Sequence, residues 1–248
     1  MKLNLNIKAK IIGLALAIGV GISVITVIVL FIVGESISKT IEENVFQTSK
    51  RNVESIVGNI YKSCEVTNEV LDKILVYKLR DVKNLIRNKG GISLSGETVT
   101  WNAVNQFNKE SKAVVIPKLL IGSSWLGNNR SFSNYQMVVD DLAEQHYTVT
   151  IFQRMNEKGD MLRVATNVKL ESGERAIGTY IPSTNPDGNP NPVLSEVLKG
   201  EAYHGNAFVV NDYYQTVYEP IKNNSGSIIG MVYVGVSLKA ADKLKQSV

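Results

Sequence analysis

The chain has 248 residues, of which 44% are hydrophobic, and this is enough apolar material for a packed core. The formal net charge is +4, but Lys2, Lys8 and Lys10 precede a long apolar run, and the other Lys and Arg residues nearly balance the 23 Asp and Glu. A nearly neutral body without a basic cluster argues against a nucleic-acid-binding surface, so we predict no nucleic-acid partner.

The first predicted element is a transmembrane helix at residues 11–33, where the sequence carries no charged residue. About 20 such residues span a bilayer. The run is longer than the apolar core of a cleaved signal peptide, which has about 7 to 15 residues, so we favour an uncleaved anchor. Lysines on its N-terminal side alone predict a cytoplasmic N-terminus at residues 1–10. We therefore expect a single-pass protein of the inner (plasma) membrane, with everything after the span extracytoplasmic.

A long amphipathic helix is predicted at residues 35–90, because apolar residues recur there mostly three or four positions apart and no proline interrupts them. The pair Gly90-Gly91 is expected to end it. Cys64 is expected to be a small buried hydrophobe, with an intermolecular disulfide as the alternative.

This long helix also predicts a homodimer. One small domain cannot bury so long an apolar stripe, so we expect part of it to pack on a second copy. In the span, Ala15, Gly19 and Ser23 recur at every fourth position and would let two helices approach closely. The alternative is a helix covered entirely by its own domain.

Residues 91–238 alternate between apolar and polar positions, which is typical of strands. This predicts an α+β domain with a largely antiparallel sheet and the long helix on one face. A loop rich in Pro, Gly and Asn is expected at 182–192. The other predicted elements are strands at 96–107, 112–122, 147–155, 161–168, 202–210, 213–221 and 227–238, and short helices at 135–144, 175–180 and 193–199.

Several long stretches occur in a recognisable order: TVTIFQRMNEKGDMLRVATNV, then RAIGTYIP followed by PNPVLSEVLKGEAYHGNAFVVNDYYQTVYEPI, then SGSIIGMVYVGV. Together they resemble the Cache sensor domains of bacterial chemoreceptors and sensor kinases, of the Cache 3/Cache 2 fusion type, over about residues 35–238. The resemblance implies a PAS-like sheet capped by a long N-terminal helix. It also implies a domain that binds a small molecule and signals through the membrane.

The resemblance departs from the family pattern at the C-terminal end. Such receptors usually continue into a second membrane helix, a HAMP linker and a cytoplasmic signalling domain, whereas residues 239–248 are expected to form only the start of a helix. We therefore expect the sensing part of a methyl-accepting chemotaxis protein without its signalling part, as a fragment or a natural short form. The alternative is the input domain of a sensor histidine kinase or of a cyclic-dinucleotide enzyme.

Enzymatic signatures are missing from the sequence, so we predict that the chain is not an enzyme. It has no P-loop, and GSSWLG at 122–127 is not a nucleophile elbow. His146 and His204 lack the spacing of a zinc site, so no metal and no cofactor are expected. An anchored hydrolase stays an alternative without positive support. A pilin-like structural protein is disfavoured because no acidic residue occurs in the apolar run before Glu35.

A ligand site is expected between the last three strands and the proline-rich loop. Arg163 has apolar neighbours in a predicted strand and is the candidate cation for a carboxylate. The alternative is an edge-strand arginine that points to water.

The ligand itself is expected to be a small polar metabolite, an organic acid or an amino acid. Strand alternation favours polar and aromatic side chains of the last strands as further contacts, with core packing as the alternative for each tyrosine. The candidate ligand-binding residues are Arg163, Tyr180, His204, Asn206, Phe208, Tyr214 and Tyr218.

Overall fold

The structure is a computed structural model that describes residues 7–142 and 147–240. Its elements are α1 (Ile7–Asn88), β1 (Ile92–Asn105), β2 (Ser111–Ile121), β3 (Ser124–Trp125), β4 (Tyr147–Arg154), β5 (Met161–Thr166), β6 (Thr179–Ile181), α2 (Pro192–Val197), β7 (Tyr203–Val209), β8 (Asp212–Lys222) and β9 (Ile228–Ser237). Residues 238–240 are helical, and the rest of the expected C-terminal helix, 241–248, lies outside the described residues.

The chain divides into two compact units, of which the first ends at Cys64 and the second begins at Glu65. The described residues of the first unit, 7–64, are helical and exposed. The apolar stretch of α1 contains an 18-residue window with a mean hydropathy of 3.0, so α1 is long and apolar enough to cross a membrane. Cys64 is exposed, and the prediction of a buried cysteine is therefore wrong.

In the second unit, the C-terminal part of α1 buries one apolar stripe against the sheet. The stripe repeats every three or four residues, as expected for one face of a helix. The helix ends at the predicted diglycine, where the Gly91 N–H donates to the Ile86 carbonyl at 2.9 Å. Gly90 has φ of +103°, and a Cβ there would lie 2.8 Å from the Gly122 Cα. The buried residues are Leu71, Leu75, Leu79, Val82 and Ile86.

The nine strands form one sheet in the order β3-β2-β1-β6-β5-β4-β9-β8-β7. Neighbouring strands are antiparallel, except for the short parallel contact between β1 and β6. The predicted α+β class with a largely antiparallel sheet is confirmed.

Both faces of the central strands are covered, because two apolar cores lie on opposite sides of them. On β5, Leu162 and Val164 belong to the core that contains the α1 stripe. Met161 belongs to the second core, which also contains Val193 and Leu194 of α2. Since side chains alternate along a strand, Arg163 points into this second side, as Met161 does.

Two predicted short helices are wrong. Residues 136–142 form successive turns, in which the Gln136 side chain accepts the Thr166 backbone N–H at 2.9 Å; the end of that predicted helix, 143–144, lies outside the described residues. Residues 175–180 contain a turn and the start of β6, which pairs with both β1 and β5. The expected helix at 193–199 is present as α2, and the Asn191 side chain caps its N-terminus.

Candidate functional site

Arg163 lies in the middle of β5, with no exposed surface. Its Nη1 donates a hydrogen bond to the Thr179 hydroxyl, and its guanidinium lies 4.8 Å from the centroid of the Phe152 ring. Neither Nε nor Nη2 has a hydrogen-bond partner among the residues that the structure describes. Burial lowers the pKa of Arg163 to about 10, so the side chain remains a cation at neutral pH.

A second buried arginine, Arg175, shows what a satisfied guanidinium looks like in this fold. It is 1% exposed. Its Nη2 lies 2.8 Å from an oxygen of Asp140, and its other nitrogens donate to the carbonyls of Ser131 and Thr166. Arg175 therefore has the anion and the acceptors that a buried arginine requires, whereas Arg163 has the Thr179 hydroxyl as an acceptor and no anion among the described residues.

Two buried tyrosines lie beside Arg163. The rings of Tyr218 and Tyr233 are 4.8 Å apart. The Tyr233 hydroxyl is 2.9 Å from the Thr148 hydroxyl, whereas the Tyr218 hydroxyl has no hydrogen-bond partner in the described ranges. Burial raises the pKa of both tyrosines well above the usual value, and the Arg163 cation opposes that rise. Both phenols stay protonated and can donate a hydrogen bond.

A cavity of about 380 Å³ opens between the proline-rich loop and strands β7 and β8. Its walls include Phe107, Pro186 and Phe208, and the rings of Phe107 and Phe208 stack with centroids 5.8 Å apart. Tyr218 lines this cavity, whereas Arg163 does not. Tyr218 thus belongs both to the cavity and to the buried cluster around the arginine.

The proline-rich loop is a compact, hydrogen-bonded hairpin. The Asn185 N–H donates to the Asn189 carbonyl at 2.8 Å, and the Asn191 N–H donates to the Ser183 carbonyl at 2.9 Å. The start of the loop is held by Asp160, which accepts the Ser183 N–H at 2.8 Å. One wall of the cavity is therefore pre-formed.

The register of β7 and β8 divides the predicted site residues between the two sheet faces. The turn at 210–211 pairs Asn206 with Gln215 and Phe208 with Tyr213, so even positions of β7 lie opposite odd positions of β8. Asn206 and Phe208 therefore lie on the face opposite to Tyr214 and Tyr218, so one face of the two strands does not carry all four candidates. Asn206, Phe208 and Tyr218 nevertheless line the same cavity at the sheet edge.

Two other predicted site residues do not face Arg163. Tyr180 pairs with Leu162 and belongs to the core on the α1 side. His204 is exposed, with Nδ1 2.9 Å from an oxygen of Asp72. Tyr214 is half-buried and packs against the second core, on the side of the sheet that Arg163 faces, so it stays in the candidate set.

Sequence reasoning missed Gln106, Tyr233 and Thr179. Tyr233 is an aromatic residue with a polar tip inside the apolar strand β9, and that signal was available. Gln106 follows β1 directly, where a polar residue is typical of a solvent-exposed turn, and yet it is 2% exposed. Across the described residues, no three His, Cys, Asp or Glu side chains are grouped so as to hold a metal ion.

Comparison with known proteins gives one family. A model of the Cache 3/Cache 2 fusion domain matches residues 38–248. No curated protein and no solved structure matches the chain significantly. The matched range includes Arg163 with the buried tyrosines Tyr218 and Tyr233, and it includes the residues that line the cavity.

Proposed function

The chain belongs to the Cache 3/Cache 2 fusion domain family, and we propose that it senses small carboxylates outside the cytoplasm through Arg163. Cache domains are input modules that bind small molecules, and they are a sensor family, not a catalytic one. The proposal adds the chemical class of the ligand and the residues that would bind it.

The observation that carries this proposal is the unpaired guanidinium. A buried cation without an anion is costly, because its lost hydration is not replaced. A carboxylate would supply the missing charge and accept hydrogen bonds from Nε, Nη2 and the Tyr218 hydroxyl. A hydrogen bond to a charged group contributes about 1.5 to 3 kcal/mol. Because Arg163 has no exposed surface, binding would require the side chains that cover it to move, and Tyr218 offers an entry from the cavity.

The proposed setting is a single-pass membrane receptor. The apolar part of α1 supports a membrane span, and Lys8 and Lys10 on its N-terminal side support a cytoplasmic N-terminus. The test is a pair of fusions after Val248. Alkaline phosphatase there should be active and green fluorescent protein dark; the reverse pattern would contradict an extracytoplasmic sensor.

Among receptor types, we propose a methyl-accepting chemotaxis protein, because such receptors are common carriers of this module. A sensor histidine kinase or a cyclic-dinucleotide enzyme is the second candidate. We further propose a homodimer along α1, supported by exposed apolar residues at helical spacing such as Ile37, Ile41 and Val45.

Thermal unfolding of the full chain in detergent tests carboxylate sensing. The probes are propionate, lactate, alanine, succinate, malate and aspartate, each compared with the amide that replaces its carboxylate groups and removes their negative charge. A ligand that binds only the folded state raises stability by RT ln(1 + [L]/Kd), about 2.7 kcal/mol at 100 times Kd. We expect at least one acid, and none of the amides, to raise the Tm. If no acid raises it, or the amides act equally, carboxylate sensing is wrong.

A further inference from the structure

Gln106 is held in one orientation beside the cavity. Its backbone N–H donates to the Tyr180 carbonyl at 3.1 Å, and its own carbonyl accepts from Lys109 Nζ at 2.6 Å. The side-chain Nε2 donates to the Phe208 carbonyl at 3.2 Å. Its Oε1 is buried and has no hydrogen-bond partner among the residues described.

The Phe208 carbonyl determines which end of the Gln106 amide is free. Rotating the amide by 180° would place Oε1 against that carbonyl, and two acceptors repel each other. The free end is therefore an acceptor. A buried amide oxygen without a donor costs free energy, and a ligand donor in the cavity would recover it.

The cavity joins this acceptor to the carboxylate site. Gln106 and Tyr218 both line it, and each has one buried polar atom without a partner. Among the described residues, the wall contains the Asp187 carboxylate and neither Lys nor Arg. The Lys109 ammonium, which is not part of the wall, donates to the backbone carbonyls of Gln106 and Val210. Hydrogen bonds from Asn189 hold the pKa of Asp187 below its usual value, so it is anionic at neutral pH. The free Gln106 Oε1 thus favours a hydrogen-bond donor, and the Asp187 carboxylate in the same wall disfavours a second anion.

From this arrangement we infer that the ligand carries a hydrogen-bond donor in addition to its carboxylate, and that Gln106 selects for this donor. The inference rests on the proposed carboxylate site at Arg163. The donor is a hydroxyl or an ammonium group, so the ligand class is the hydroxy acids or the amino acids. Phe107 and Phe208 would contact the carbon skeleton of the ligand.

Propionate, lactate and alanine test the inference, because they share a three-carbon skeleton and differ only at C2. Calorimetric titration would use the full chain in lipid nanodiscs. We expect lactate or alanine to bind at least about tenfold more tightly than propionate, as one hydrogen bond to a buried acceptor allows. The better of the two identifies the donor as hydroxyl or ammonium.

Gln106→Leu is the matching variant, with Gln47→Leu on the exposed part of α1 as its control. Gln106→Leu should bring the three affinities within about twofold, and Gln47→Leu should leave the wild-type preference intact. If wild type binds all three acids within about twofold, or Gln106→Leu keeps the full preference, the role of Gln106 is wrong while carboxylate sensing stands. If no carboxylate binds, the proposed function itself is wrong. If Gln106→Leu does not fold, the affinities of the wild-type chain for propionate, lactate and alanine test the inference by themselves.

Discussion

Arg163 and Phe152 are paired directly across β5 and β4, with the guanidinium 4.8 Å from the ring centroid. An aromatic face attracts a cation, by about 2 kcal/mol or more when both are desolvated. It cannot accept the hydrogen bonds of Nε and Nη2, and it carries no compensating charge. The contact with Phe152 therefore positions the guanidinium and leaves its Nε and Nη2 donors without hydrogen-bond partners.

The two buried arginines should respond oppositely to replacement by methionine. Arg163→Met removes an unpaired buried charge, so the Tm of the ligand-free protein should stay the same or rise. Arg175→Met leaves Asp140 without its partner and should destabilise by about 3 to 5 kcal/mol, which lowers the Tm by more than about 6 °C. Differential scanning fluorimetry makes the comparison. A larger loss for Arg163→Met would mean that this arginine is structural.

The two neighbouring buried tyrosines, Tyr218 and Tyr233, allow a similar comparison. The Tyr218 hydroxyl has no partner, so Tyr218→Phe should keep or raise the Tm and weaken carboxylate binding about tenfold or more. The Tyr233 hydroxyl bonds Thr148, so Tyr233→Phe should lower the Tm by a few degrees and change the affinity less. Fluorimetry and calorimetry on both variants would show this; equal affinities for Tyr218→Phe and wild type would remove Tyr218 from the site.

Acid should weaken the anchor of the proline-rich loop. Burial raises the pKa of Asp160, but hydrogen bonds from Ser183 and Asn156 and the Lys112 ammonium outweigh this, so its folded-state pKa is below the unfolded value. A depressed carboxyl pKa stabilises the fold above the unfolded pKa, and this stability is lost as pH falls through the folded pKa. Asp160→Asn should therefore lower the Tm at pH 7, by about 2 to 8 °C for a loss of about 1 to 2 kcal/mol.

The difference between Asp160→Asn and wild type should shrink progressively as the pH falls below about 4, the pKa of the unfolded carboxyl, and should be lost once the pH has fallen through the lower pKa of folded Asp160. Glu157→Gln, an exposed residue of the same turn, is the control and should follow wild type at every pH. A difference that stays constant from pH 7 to pH 3 would show that the Asp160 charge does not anchor the loop.

Cross-linking tests the homodimer. Single cysteines at Ile37, Ile41 and Val45, in a Cys64→Ser background, should cross-link on oxidation, because a parallel helix pair brings one stripe of each copy together. Cysteines at Ser38 and Glu42, each about 100° around the helix from the preceding stripe residue, should cross-link less. Non-reducing electrophoresis of membranes gives the result. Equal yields at all five positions would exclude a specific helix pair.

Much of the fold was predictable because it depends on local pattern. The alternation of apolar and polar residues predicted the long strands, and Gly90-Gly91 predicted the end of α1. The pairing of strands that are distant in the sequence could not be predicted from local pattern. For Arg163 the sequence left two alternatives, a buried site and a solvent-facing edge, since alternation does not reveal that the core containing α2 covers the second face of β5. Tyr180 was misplaced because its partner, Leu162, is set by the contact between β5 and β6.

The candidate site was predictable in part for the same reason. Its position between the proline-rich loop and the last strands follows from chain order, and a cavity lies there. Gln106 comes from a distant turn, and only the fold brings it to Phe208. Alternation along β8 was enough to propose Tyr218 as a site residue. That its hydroxyl is buried without a hydrogen-bond partner depends on the packing around it, which the sequence does not reveal.

Carboxylate recognition by Arg163 is tested most directly by calorimetric titration of the full chain in nanodiscs with the acid that raises the Tm most. Arg163→Met should weaken binding about tenfold to a hundredfold or more, since it loses charged hydrogen bonds worth about 1.5 to 3 kcal/mol. Arg163→Lys should recover only part of the affinity, because an ammonium lacks the two-pronged geometry of guanidinium. Unchanged affinity in a folded Arg163→Met protein would contradict the proposal that this buried cation binds the ligand.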